Sequence, residues 1–163
     1  MKKNITYKIA ESRDDFGRCR EIILEYVKTL GVDLTYMDLP NELSSMEQKY
    51  SSPEGVFILA FDGDLVAGCV GIRKINWEMA ELKRLYVKNV YRGLKIGLIL
   101  LQKVLESAQQ LGYKKVRLDV IPSLLKAKSL YHSLGFEEIP PYFNNPVIGT
   151  VYMEKNISLQ ENQ

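Results

Sequence analysis

The chain has 163 residues, 46% of them apolar and 26% charged, with 22 lysines and arginines against 20 acidic residues. That length suits one globular domain, and the apolar content excludes a disordered chain. A net charge of +2 argues against a dedicated nucleic-acid or membrane-surface binder, which carries a basic stripe. Cys19 and Cys69 lie in apolar runs and read as small buried residues in a reducing compartment. With a single histidine, His132, a His/Cys zinc site is nearly excluded and no metal is expected. Lys2 and Lys3 resemble the start of a signal peptide, but Asn4 to Ala10 supply no apolar stretch. No run approaches the length of a membrane span. The expected location is the cytoplasm.

In chain order, residues 5–9 form a short strand. Ser12 and Asp15 mark a helix start, with Ser12 as N-cap. Phe16, Cys19, Ile23, Tyr26, Val27 and Leu30 follow at helical spacing, and Gly31 ends that helix. Residues 32–52 carry a weaker pattern, in which Leu43, Met46 and Tyr50 allow a short second helix. Val56–Phe61 reads as a buried strand, Asp62-Gly63 as a hairpin turn and Leu65–Ile75 as the return strand. Gly68 and Gly71 mark a bulge or a close backbone approach there. A further strand covers Glu81–Val87. A long helix at 97–111 places Leu101, Val104, Leu105, Ala108 and Leu111 on one face, with Gly112 at its C-terminal left-handed position. Lys115–Ile121 alternates as a half-buried strand. Pro122-Ser123 opens a helix carrying Leu124, Ala127, Tyr131 and Leu134, closed by Gly135. Two last strands lie near 136–139 and 149–157, and residues 158–163 form a frayed tail. The alternation predicts one mixed α/β domain with a core over about 5–157.

The segment Glu81–Leu98 carries the strongest chemical signal. A strand passes through Arg92, Gly93, Lys95 and Gly97 into the long helix. The first N–H groups of a helix lack intrahelical partners and its dipole is positive there, so such a loop can cradle a phosphate. An ordinary strand–loop–helix connection explains the same glycines. The chain has no G-x-x-x-x-G-K-[ST] and no G-x-G-x-x-G after a strand, which argues against a P-loop hydrolase and a dinucleotide dehydrogenase.

At this segment the sequence resembles the GCN5-related N-acetyltransferases. Their loop reads [QR]-x-x-G-x-[GA]; Arg92, Ile96 and Gly97 fit it, and Lys95 stands at the middle glycine. S-L-Y-H-S-L-G-F at 129–136 is similar to the family's L-Y-x-x-L-G-F. Ala127 fits the small residue before it, while Leu124 replaces a common asparagine. P-Y-F-N-N-P-x-x-G-x-x-Y-M-E at 141–154 looks like a bacterial, small-substrate subset. The resemblance implies a central sheet of about seven mostly antiparallel strands flanked by about four helices, with the fourth and fifth strands splayed. It implies acetyl-CoA as co-substrate. Arg92, Gly93, Leu94, Lys95, Ile96, Gly97 and Leu98 would hold the pyrophosphate. Leu85, Tyr86 and Val87 would pair with the pantetheine arm, with a main-chain N–H near Leu85 meeting the oxyanion. Lys126 and Lys128 would approach the 3′-phosphate or form a solvated helix face.

Acetyl transfer to an amine needs a neutral nitrogen, a donor for the oxyanion and a proton for the leaving thiolate. Glu81 lies eleven residues before Arg92, the offset of the catalytic glutamate in the family's histone-modifying members, so the resemblance implies it as the candidate base, acting directly or through water. Partial burial is expected to raise its pKa; a strand-end carboxylate paired with Lys83 or Arg84, or left solvated, is the alternative. Tyr131 is the candidate acid toward the sulfur, as the resemblance implies, or else core. Trp77, Tyr142, Asn144 and Asn145 are candidates for the acceptor site, although packing explains Trp77 and turn chemistry the loop residues. His132 is expected to be exposed or partly packed. The acceptor implied is a primary amine on a small molecule or amino acid. Alternatives are a protein or peptide amine, recognised through Asp33, Asp38, Glu42 and Glu47, and a CoA-binding sensor without catalysis. A homodimer is a family-level expectation.

Overall fold

The computed structural model describes residues 3–31 and 38–158. Asp33 and the tail beyond Ser158 lie outside the described residues. The strands are β1 (Ile5–Ile9), β2 (Val56–Asp62), β3 (Leu65–Lys74), β4 (Met79–Val87), β5 (Lys115–Val120), β6 (Glu137–Ile139) and β7 (Val151–Asn156). The helices are α1 (Arg13–Thr29), α2 (Leu39–Ser44), α3 (Met46–Lys49), α4 (Ile96–Gln110) and α5 (Leu125–Ser133). The region of weak pattern thus holds two short helices where one was expected. Short 3₁₀ turns at Asn89–Tyr91 and Pro122–Leu124 lead into α4 and α5.

All seven strands share one sheet in the order β1-β2-β3-β4-β5-β7-β6. Only β4 and β5 run parallel; the long α4 makes that crossover, as a parallel pair requires. The sheet's two faces are read directly from strand alternation. Val56, Ile58 and Ala60 pack with Leu100, Leu101 and Val104 of α4, whereas Phe57 and Leu59 pack with Phe16, Cys19 and Ile23 of α1. Both faces are covered, so β2 reads as an unbroken apolar run. Cys19 and Cys69 are free and buried. Among the described residues no helix is long and apolar enough to cross a membrane.

The start of α1 is fixed by a capping box. Ser12 Oγ accepts from Asp15 N–H at 3.0 Å, and Asp15 Oδ2 accepts from the N–H groups of Ser12 and Glu11 at 3.1 and 3.0 Å. Lys8 of β1 donates to Asp15 Oδ1 at 2.9 Å. Burial pushes the Asp15 carboxyl up, but the Glu11 N–H, Lys8 and the Ser12 N–H outweigh it and bring it from 3.8 to about 2. Asp15→Ala is therefore expected to cost about 1–2 kcal/mol. A carboxyl with a depressed folded pKa stabilises fully above its unfolded value and loses that contribution as pH falls through the folded one. Urea midpoints of variant and parent should differ at pH 7 and converge near pH 2.

Candidate active site

β4 and β5 pair only at Met79–Lys115, Ala80–Val116 and Glu81–Arg117, after which they separate. The expected splay is present, and it opens a cavity of about 340 Å³. Its walls are β4 from Glu81 to Leu85, β5 from Leu118 to Val120, the C-terminal end of α1 at Tyr26 and Leu30, and α5 at Ala127 and Tyr131. Phe143 and Asn144, from the loop between β6 and β7, close one side. Leu124, at the position where the family often has asparagine, gives the wall an apolar patch.

A β-bulge decides which β4 side chains reach this space. One residue of β3, Val70, separates Cys69 from Gly71, while two of β4, Leu85 and Arg84, separate their partners Tyr86 and Lys83. The extra residue is Arg84, at φ 62°, and Cys69 Sγ donates to its carbonyl at 3.2 Å. A bulge changes the parity of the strand. Glu81 and Lys83 face one side, Leu85 and Val87 pack with the α4 core, and Tyr86 returns to the α1 side against Tyr26. The glycines of β3 allow the close approach: a Cβ on Gly68 would lie 2.8 Å from Tyr86 O, and one on Gly71 2.8 Å from both Phe57 and Tyr50.

The result is a charged wall in a cavity otherwise bounded by residues such as Leu118, Val120 and Leu124. Glu81, 6% exposed, accepts from Arg73 Nη2 and Nε at 3.0 and 3.2 Å and from the Tyr142 hydroxyl at 2.7 Å. Lys83 Nζ stands 3.8 Å from the same carboxylate. Burial pushes the Glu81 carboxyl up, but Lys83, Arg73 and the Tyr142 hydroxyl together hold it below its ordinary value. This corrects the expectation of a raised pKa: burial acts as expected, and three neighbours invisible in the strand's own pattern exceed it. Arg84 turns instead to Glu42 on α2, donating from Nε at 3.0 Å with Nη2 at 2.9 Å. The local pairing expected between Glu81 and Arg84 is therefore absent, while the one with Lys83 exists at longer range.

Tyr131 reaches the cavity from α5, 6% exposed and edge-on to Phe136. Burial, Tyr26 and Asp119 raise its pKa far above the ordinary range, so the hydroxyl keeps its proton. Among the described residues that hydroxyl has no hydrogen-bond partner. Glu81 and Tyr131 thus line the same cavity from different elements.

Other expected site residues fall elsewhere. Trp77 is 84% exposed, stacked under Lys74 with Nζ 3.3 Å from the ring centroid, and lies outside the cavity wall; its place in the β3–β4 turn carries it past the sheet end. Asn145 is buried and turned inward, donating to Asp119 Oδ2 at 2.8 Å and accepting from Val147 N–H at 2.9 Å. It shapes the loop, while its neighbour Asn144 faces the cavity. Tyr142 touches Glu81, with its ring packed edge-on to Tyr152, so it positions that carboxylate. Lys128 is ion-paired with Glu138, a bond an incoming phosphate would have to displace. The acidic set expected to form an acceptor groove is partly neutralised, Glu42 by Arg84 and Glu47 by Arg20. His132 is exposed. The residue that sequence patterning misses is Arg73, which register counting from the Ile75–Glu78 turn sets opposite Glu81; Glu42 is expected only in a peptide groove, and nothing local signals its pairing with Arg84.

The loop before α4 suits a diphosphate. Lys95 caps the helix at φ 61°, the left-handed conformation for which a glycine is the usual residue. Ile99 N–H makes the first bond of the helix, to Lys95 O at 3.1 Å, so the N–H groups of Ile96, Gly97 and Leu98 have no partner one turn back. Arg92, Gly93, Leu94 and Lys95 are exposed. A Cβ on Gly97 would meet only Leu130 and Val87, both at 3.8 Å. Packing does not demand a glycine there, and its absent side chain leaves the helix entrance bare. Beside it, Leu85, Tyr86 and Val87 lie beyond the last β4–β5 pair, which leaves that edge of the strand without a neighbouring strand.

Residues 21–136 match the model of the acetyltransferase (GNAT) family. An uncharacterized N-acetyltransferase of Schizosaccharomyces pombe is 36% identical over 153 residues, 93% of this chain and 92% of that protein. A GNAT-family acetyltransferase from Staphylococcus aureus has a similar structure, with a TM-score of 0.79, 25% identity and coverage of 94% of this chain and 100% of that one. A putative acetyltransferase from Salmonella typhimurium, solved with its cofactor acetyl-CoA, superposes with a TM-score of 0.75 at 17% identity, covering 98% of each chain.

Proposed function

The chain belongs to the acetyltransferase (GNAT) family, and on that premise we propose that it moves an acetyl group from acetyl-CoA to the primary amine of a small molecule, with Glu81 and Tyr131 as its catalytic residues. It is an N-acetyltransferase of the GNAT type. The observation that carries the proposal is the joint placement of the Glu81 carboxylate and the Tyr131 side chain on the walls of one cavity at the β4–β5 splay.

In this reading the N–H groups at the entrance of α4, with Arg92 and Lys95, bind the diphosphate. The free edge at Leu85–Val87 accepts the pantetheine arm as an added strand, which leads the thioester, the source of the acetyl group, into the cavity. The Leu85 main-chain N–H donates to the carbonyl oxygen as it gains charge. Glu81 is too weak a base to take a proton efficiently from a free ammonium of pKa about 10. It holds the amine by charge and accepts a proton once attack has made that nitrogen acidic. Tyr131, protonated throughout, donates toward the departing sulfur. The cavity volume of about 340 Å³ suits a small acceptor, and the neutralised Glu42 and Glu47 take weight from an acidic peptide groove. Two free buried thiols support a reducing compartment such as the cytoplasm.

Gly97→Asp tests the donor site. A Cβ fits there and an acidic residue in the first turn of a helix is favourable, so stability should stay within about 1 kcal/mol of the parent. The carboxylate should weaken acetyl-CoA binding about tenfold or more by setting a negative charge between the diphosphate and the helix entrance. Calorimetric titration beside thiol release from an amine panel reads both. Unaltered donor affinity in this variant, or no donor affinity in the parent, removes the proposal.

A further inference from the structure

We propose that Lys83, with Arg73 beside it, forms a carboxylate-binding subsite in the cavity, so that the acceptor is an amine that itself carries a carboxylate. The inference rests on the acetyl-transfer reading and names the acceptor class for it. Three cations line the cavity, and they are not equally engaged. Arg84 spends Nε and Nη2 on Glu42. Arg73 spends Nε and Nη2 on Glu81, and its remaining Nη1 stands 3.8 Å from Glu42 Oε1, beyond hydrogen-bond reach. Lys83 is the extreme case. Its side chain is 16% exposed, its Nζ lies 3.8 Å from Glu81 Oε1, and among the described residues it makes no hydrogen bond. An ammonium carries three donors, and holding it so far from water with none satisfied is costly. Burial accordingly pulls the Lys83 pKa down against the opposing pull of Glu81 and Asp119.

The acids in the wall do not relieve this. Glu42 is taken by Arg84, Glu81 is shared by Arg73 and Tyr142, and Asp119 accepts from Asn145. The vacant donors on Lys83 and Arg73 belong to cations that both approach Glu81 Oε1 within 4 Å. A carboxylate entering there accepts from both, and its two oxygens match a lysine and a guanidinium edge. The same molecule's amine then lies near Glu81, where its charge is met. An acceptor with both groups satisfies each end of the wall, whereas a plain alkylamine leaves Lys83 bare.

The test is a binding measurement that needs no turnover. Alanine, aspartate, lysine and phenylalanine, each beside its α-carboxamide, are titrated calorimetrically into the protein with and without CoA. At least one carboxylate should bind about tenfold or more tighter than its carboxamide. Lys83→Gln should reduce that preference to within about twofold with CoA affinity unchanged and the thermal midpoint no lower than the parent's, and Lys83→Arg should keep most of it. Carboxylates that bind no better than carboxamides overturn the proposal, as does a Lys83→Gln variant that weakens both members of a pair alike. A carboxylate preference in a protein that transfers no acetyl group upholds the subsite and sinks the catalytic reading instead.

Discussion

Glu81→Gln is expected to lower kcat for amine acetylation by about 10²–10³-fold while leaving the acetyl-CoA KM within about twofold of the parent. The amide keeps the shape but loses the charge that faces Arg73 and Lys83, and it cannot accept the proton released from the attacking nitrogen. The acid limb separates this role from a structural one. Burial pushes the carboxyl up, but Lys83, Arg73 and Tyr142 hold it below its ordinary 4.5, so it protonates at lower pH than a free glutamate. The logarithm of kcat/KM should rise with unit slope as the amine deprotonates, and steepen to a slope of two where this carboxyl takes its proton. Tyr142→Phe removes the 2.7 Å hydrogen bond to Oε2 and should move that break to higher pH with a smaller loss of rate. Parent-like turnover in Glu81→Gln at every pH would exclude this residue from the chemistry.

The largest stability effect is expected at Arg84. Its side chain and that of Glu42 are 4% and 5% exposed and form a close ion pair, with Arg73 Nη1 at 3.8 Å from Glu42 as a longer contact. Arg84→Met removes the close partner of a buried carboxylate and should cost about 3–5 kcal/mol in urea unfolding. The double variant Arg84→Met with Glu42→Leu should recover most of that loss, since an apolar pair of similar volume often replaces a buried ion pair at little cost. A single-variant loss below about 1 kcal/mol would mean that water reaches the pair.

Local chemistry made much of the fold legible. The Ser12–Asp15 box, the Asp62-Gly63 turn, the apolar face of 96–110 and the glycines at 112 and 135, both at φ +94°, each act within a few residues and were readable there. The resemblance leads to Glu81 and Tyr131, and the structure sets both on the walls of one cavity. What escaped was long in sequence and dependent on backbone irregularity. Lys83 and Arg84 were legible only as local partners of Glu81, because strict alternation sends neighbours to opposite faces. The residue inserted at Arg84 breaks that alternation and presents both to the cavity. Glu42 meets Arg84 across 42 positions and Tyr142 meets Glu81 across 61, distances over which periodicity carries no information. Asn145 misled for the opposite reason, since an asparagine in a proline-bounded loop looks the same whether its amide faces a ligand or knits the loop together.

The strand order has a consequence for biosynthesis. β7 lies between β5 and β6, although it is translated after both. While the polypeptide is emerging from the ribosome, β5 keeps an open rim, and the three residues of β6 have nothing to join until 151–156 arrive. A nascent chain arrested before residue 151 should therefore recruit chaperones and resist protease in its first four strands alone.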